Sequence, residues 1–162
     1  MRTLTAEEII AITKKAIWAS IITVRPDGVP FAIEATPFYT DTETCFMINP
    51  GGGTSKNLRS SPHVLLKYTF ATPDLKAWMG ISCLGSGRFV HDPHAIRLGW
   101  ELLGKVMGQD FSGAADKYCQ NPGRSPLMAV KIHSRTGRCS AVNGTPLSEI
   151  YASLGLDPDP EP

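Results

Sequence analysis

The sequence predicts a mainly-β domain, an antiparallel barrel with helices at its margins. Three observations carry this. Six stretches rich in β-branched and aromatic residues follow one another, the first two joined by a hairpin turn. They do not alternate regularly with helical patterns, as a parallel α/β sheet requires. Gly85 and Gly87 interrupt the fifth stretch, where a bulge or a bent barrel strand is expected.

Thr5 and Glu8 form a capping box, so a helix starts at Thr5 and runs to about Lys15, with Ile9, Ile12 and Ala16 on its apolar face. Residues 16–25 read as a largely buried strand. Pro26-Asp27-Gly28 turns the chain, because proline fixes φ and glycine accepts φ > 0. Residues 29–39 return as the second strand, with Pro37 marking an edge or a bulge. Residues 44–48 form a third strand, 63–70 a fourth and 80–90 a fifth. Asp92-Pro93 opens a helix, Asp as N-cap and Pro at the first position, and Gly108 ends it. Its Ile96, Trp100, Leu103 and Met107 fall at helical spacing and face the core or a partner. A short helix covers residues 113–119, a sixth strand 127–133, a short seventh 140–142 and a terminal helix 146–154. One domain over residues 1–156 is expected, with a disordered tail over 157–162.

Composition narrows the function. Hydrophobic residues make up 42% and charged residues 19% of the 162, enough for a core and against disorder. A net charge of +1 gives no footprint for nucleic acid or a membrane surface. No apolar run is long enough for a membrane span. The first ten residues carry acids where a signal peptide needs an apolar core, so a cytoplasmic location is expected. Cys45, Cys83, Cys119 and Cys139 lie far apart without a C-x-x-C, which favours free thiols in a reducing compartment over a zinc site. His63, His91, His94 and His133 show no ligand spacing, so no metal is expected. Trp18 and Trp100 read as packing residues.

The most informative stretch is FMINPGGGTSKNLRSSPHVLL, residues 46–66. It reads as strand, glycine loop, one short helical turn, strand. Three glycines permit φ > 0 and close approach of a ligand. Thr54, Ser55, Lys56 and Asn57 follow at a helix start, where free N–H groups and the helix dipole favour an anion. It is not a P-loop, since Lys56 follows Ser55, and G-x-G-x-x-G is absent. An ordinary glycine-rich connection is the competing reading of this stretch alone.

The order of motifs resembles the FMN-binding split-barrel superfamily, which includes pyridoxamine phosphate oxidases and nitroimidazole-resistance proteins. The residues that carry it are Ala19 to Val24 with the Pro26-Asp27-Gly28 turn, the strand Glu34 to Tyr39, Asn57-Leu58-Arg59 with Pro62, and GSGRFVHD at residues 85–92. The resemblance implies a split, Greek-key-like β-barrel and a homodimer with the cofactor at its interface. It further implies FMN as cofactor and an oxidoreductase acting on a small-molecule substrate or redox partner. Glu34, Ala35, Thr36 and Pro37 would then border the flavin ring. Ile48 and Asn49 would line the same pocket, and Thr54, Ser55, Lys56 and Asn57 would hold the phosphate. An electron carrier, or a flavin- or haem-binding protein without catalysis, is the alternative. Many members carry Arg-Lys early in the phosphate loop; the matching places here are Gly53 and Thr54, so Lys56, Arg25 or Arg88 would supply the charge. Glu34 itself reads equally as a solvent-facing charge or as a group at the flavin. No catalytic residue is identified, which fits a protein whose cofactor supplies the chemistry.

Overall fold

The computed structural model describes residues 1–157. Apart from Asp157, the expected tail therefore lies outside the described residues. One antiparallel sheet of eight strands forms the body, in the order β3-β2-β6-β7-β8-β5-β4, with β1 (Arg2–Thr3) added to β8. The path strands are β2 Ala19–Val24, β3 Pro30–Ala35, β4 Phe38–Tyr39, β5 Thr44–Met47, β6 His63–Ala71, β7 Trp78–Phe89 and β8 Leu127–Cys139. β3 and β4 stand at opposite ends of this order, yet only Thr36 and Pro37 separate them in the chain. Two residues can join the ends of a seven-strand path only if the sheet rolls up. The β3 and β4 edges do not pair, so the barrel is split along that line.

Among the described residues five α-helices surround the sheet: α1 Ala6–Thr13, α2 Gly53–Ser60, α3 Pro93–Met107, α4 Ser112–Gln120 and α5 Leu147–Leu154. Both halves of the Thr5–Glu8 capping box form. Asp92 caps α3 through the Ala95 N–H, and Gly108 ends it at φ 62°. Inside the barrel, Ile21, Phe46, Leu66, Met79 and Ile81 are fully buried, covered by Ile9 and Ile12 of α1. A second cluster, with Phe38, Ile96, Leu103 and Leu127, seats α3. Trp100 packs as expected, stacked on Tyr118 at 5.8 Å, but Trp18 is 60% exposed and does not.

Several boundaries move. The predicted strand over residues 29–39 breaks at Thr36-Pro37 into β3 and β4, because its two halves serve opposite edges of the sheet. No strand forms at residues 140–142; β8 instead runs on to Cys139 and pairs along the whole length of β7. The expected irregularity appears as a register shift between Leu84 and Gly85. A Cβ at Gly85 would stand 2.4 Å from the Lys131 carbonyl oxygen, so the close strand approach requires glycine. The strand β1 is too short to show in the sequence.

β1 is tied to α1 through the ion pair of Arg2 with Glu8, in which Arg2 Nη1 donates to Glu8 Oε2 at 3.0 Å. That hydrogen bond, opposed by burial, holds the Glu8 carboxyl below its ordinary value. A depressed folded pKa contributes stability above the ordinary carboxylate range, and this contribution is lost as pH falls through the lowered value. Glu8→Gln is therefore expected to flatten the acid limb of the melting temperature against pH, measured by thermal unfolding from neutral pH downward. Equal acid slopes in both proteins would remove Glu8 as the cause.

Burial pushes the Cys45 thiol up to about 12 and the Cys83 thiol up to about 11. Both are neutral at physiological pH and are not nucleophiles. Among the described residues no helix is long and apolar enough to cross a membrane, and no group of three or more His, Cys, Asp or Glu side chains could hold a metal ion.

Candidate functional site

The loop after β5 is folded by its own residues. Asn49 Oδ1 accepts the Gly51 N–H at 2.9 Å, and the Asn49 carbonyl accepts the Gly52 N–H at 3.0 Å. None of the three glycines takes a positive φ, contrary to the expectation. Gly53 is required for another reason. A Cβ there would lie 2.7 Å from Cζ of Phe31, whose ring on β3 packs against the helix start. This ring stands where an arginine side chain at position 53 would have to begin.

α2 has two turns, longer than the one turn expected. Its N-cap is Gly52, and no side chain caps it. The N–H groups of its first turn, on Gly53, Thr54 and Ser55, are therefore free for an acceptor. Thr54 is 1% exposed and its Oγ1 has no hydrogen-bond partner. An orphaned buried hydroxyl beside free N–H groups is a place where an anion restores lost hydrogen bonds. Ser55 is buried and Lys56 is exposed. Asn57 is committed elsewhere: its Nδ2 donates to Thr23 Oγ1 at 2.9 Å, a buried bond tying α2 to β2. Asn57→Ala should cost about 1–3 kcal/mol of stability, the penalty for orphaning a buried polar group. Denaturant unfolding checks it, and a loss no larger than that of an exposed surface substitution would contradict it.

Counter-charge near α2 is limited. Of the two distant arginines considered, Arg88 forms a double-contact ion pair with Glu43, and Arg25 pairs with Asp27 at 2.9 Å. Lys56 and Arg59 have no acid partner among the described residues. Arg59 reaches Ser55 Oγ at 3.5 Å. Beside the helix lies a cavity of about 340 Å³ lined by Ser55, Arg59, Arg88 and His91 among others. Arg59 was not among the residues expected; it belongs to the Asn57-Leu58-Arg59 motif, which was its only signal. The donors fit a phosphate group: backbone N–H, two hydroxyls, an ammonium and a guanidinium.

The other expected residues lie on two sides. Glu34 and Ala35 end β3, and Thr36-Pro37 cross to β4. Ala35 stands four residues along β3 from Phe31, about 13 Å away along the strand. Glu34 is exposed and accepts a hydrogen bond from Ser20 Oγ at 2.6 Å. Ile48 is buried in the barrel core, and its N–H donates to the Pro126 carbonyl at 2.8 Å. Asn49 is exposed at the loop start.

Comparison with solved structures places this architecture. A candidate 5-nitroimidazole antibiotic resistance protein from Bacteroides thetaiotaomicron superposes with a TM-score of 0.68 at 15% identity, covering 85% of this chain and 87% of its own. An FAD-binding protein from Mesorhizobium loti gives 0.65 at 18% identity, over 86% of this chain and 98% of its own. A heme storage protein from Vibrio cholerae gives 0.62 at 16% identity, over 80% and 90%. No protein-family model and no curated protein matches the sequence. The chain has the split β-barrel fold, as the resemblance implied. At these identities the likeness extends to the fold alone.

Proposed function

We propose that this chain is an FMN-dependent oxidoreductase, passing hydride or electrons from reduced flavin to a small acceptor. The observation that carries the reading is the uncapped start of α2, with free N–H groups beside the orphaned Thr54 hydroxyl. Bound FMN would supply the redox chemistry. The chain's own part is to hold it. The N–H groups of Gly53, Thr54 and Ser55 grip the phosphate, and Lys56 and Arg59 balance its charge. The backbone from Glu34 to Pro37 offers the ring its N–H and C=O groups. Phe31 and the edge strand shield the helix start from water.

The reading includes a cytoplasmic homodimer with the flavin between two chains. The outer face of the sheet supports it. Ile22, Leu65 and Leu84 lie in one cross-strand row there, and Leu84 is 48% exposed. Ile17, just before β2, is 72% exposed. Apolar surface gathered this way favours a partner, and a two-fold contact lets one patch serve both chains.

Lys56→Ala should weaken FMN binding by about 1.5–3 kcal/mol, the range for a hydrogen bond to a charged group. Ser55→Ala should cost less. Fluorescence titration of apoprotein measures both, and unchanged affinity in Lys56→Ala would move the charge balance to Arg59. A second reading, a haem- or flavin-binding protein without catalysis, is motivated by the shared fold of the heme storage protein. The absorption spectrum of the purified protein separates the cofactors: bands near about 375 and 450 nm for flavin, one strong band near about 400 nm for haem. Stopped-flow reduction by NADH or NADPH then separates a reductase from a carrier. A haem spectrum would overturn the oxidoreductase reading.

A further inference from the structure

We propose that the opening in the barrel wall between α1, the β4–β5 turn and β8 binds a zwitterionic amino acid whose side chain ends in a hydrogen-bond donor. The proposal does not rest on the flavin reading. Its starting point is an incomplete strand pairing. β5 pairs with β8 only along Leu127 to Val130, and β1 takes up the same edge at Arg138. Between them, residues 131–136 have no strand partner on that edge, and His133 to Thr136 are exposed. An unpaired edge leaves the wall open there. α1 stands beside the opening. The two enclose a cavity of about 330 Å³, reaching from Ile10 and Lys14 on α1 to Ile132 and Arg135 on β8.

The floor is polar although it belongs to the barrel interior. Tyr68 is 1% exposed and Thr44 6%, and both line the cavity. Their hydrogen bonds run in one direction. Tyr39 OH donates to the Thr13 carbonyl at the end of α1, so its oxygen can only accept from a neighbouring side chain. Hydrogen bonds join Tyr68 to Tyr39 and to Thr44. Tyr68 therefore gives its proton to Tyr39, and Thr44 gives its own to Tyr68. The chain ends at the Thr44 oxygen, which keeps lone pairs and no proton to offer. A buried acceptor left open calls for a donor.

The mouth carries both signs of charge. Lys14, Asp41 and Arg135 line it, are exposed, and form no ion pair among the described residues. Glu43 also borders the cavity, but Arg88 holds its carboxylate. Opposite charges that share one cavity without closing on each other are a complementary set for a ligand that carries both. The guanidinium and the ammonium hold a carboxylate. Asp41 holds an amino group, which the negative end of the α1 dipole also favours. Ile10 and Ile132 give the ligand an apolar wall between mouth and floor.

The site is apart from the Leu65–Leu84 row and from α2. Tyr68 and Cys83 border it from the inner face of the sheet, and Leu65 and Leu84 stand on the outer face. Thr44 lies four residues before Ile48, about 13 Å along the chain from the start of the glycine loop.

L-Tyrosine has both charges, an apolar ring and a phenolic donor, so it is the probe. The test is calorimetric titration of the full chain with L-tyrosine. Three analogues each lack one group: L-phenylalanine the hydroxyl, tyramine the carboxylate and 3-(4-hydroxyphenyl)propionate the amino group. Saturable binding of one L-tyrosine per chain is expected, with each analogue weaker by about tenfold or more. Arg135→Gln and Asp41→Asn change exposed side chains and should each weaken L-tyrosine by about tenfold. Thr44→Val should weaken L-tyrosine and leave L-phenylalanine unchanged. If Thr44→Val fails to fold, the two charge variants and the analogues carry the test. Saturating FMN should leave L-tyrosine binding in place. Four results would overturn the site: no saturation by L-tyrosine, an analogue that binds as tightly as L-tyrosine, native affinity in both charge variants, or displacement of L-tyrosine by FMN.

Discussion

Phe46→Ala should lower the free energy of unfolding by about 3–5 kcal/mol, the range for removing a buried aromatic ring. Phe46 is fully buried in β5, opposite Met128 of β8, and sits among the barrel's central residues with Ile21 and Leu66. The ring packs inside the rolled sheet, so neighbours cannot collapse into the cavity without bending the strands. A loss of this size is a large part of the roughly 5–15 kcal/mol that a domain has in total. At roughly 2–4 °C per kcal/mol for a chain of this length, the melting temperature should fall by about 6–20 °C. Val142→Ala is the control. Val142 is 70% exposed, so its loss should stay within about 0.5 kcal/mol. Equal effects at the two positions would mean that the barrel interior is not the core.

Adding FMN to apoprotein should strengthen the dimer and raise its stability by about 2.7 kcal/mol at one hundred times the dissociation constant. The physical basis is linkage: a ligand held between two chains binds only the assembled state, so assembly and binding favour each other. The apolar row of Ile22, Leu65 and Leu84 is the surface on which two copies would meet. Sedimentation across a dilution series, with and without FMN, measures the shift in the dimer dissociation constant. A monomer that binds FMN stoichiometrically at low protein concentration would sink the shared-site reading.

What the sequence revealed was local. The Thr5–Glu8 box, the Asp92 cap and the Gly108 stop each depend on residues within one or two turns, and all three form. The glycine loop and the helix after it were legible for the same reason. What was hidden depends on contacts between distant residues. Nothing near Pro37 shows that the next two residues join the far edge of the sheet, because that follows from how the whole sheet closes. Nothing near Gly53 shows that the ring it accommodates is Phe31. Asn57 looked like a phosphate donor because it follows Lys56, yet its amide donates to Thr23, thirty-four residues earlier. Arg88 looked available until the fold brought Glu43 against it. The fold class was thus readable from pattern and motif order, whereas the partners of the site's side chains needed the packed structure.

On the proposed reading, the start of α2 holds the phosphate of FMN. Riboflavin is FMN without that group, so their relative affinity isolates it. Titrations of apoprotein with each, at equal salt, should show FMN binding tighter by at least about tenfold, or 1.4 kcal/mol, with the gap narrowing in Lys56→Ala. Equal affinity for riboflavin and FMN would contradict the claim.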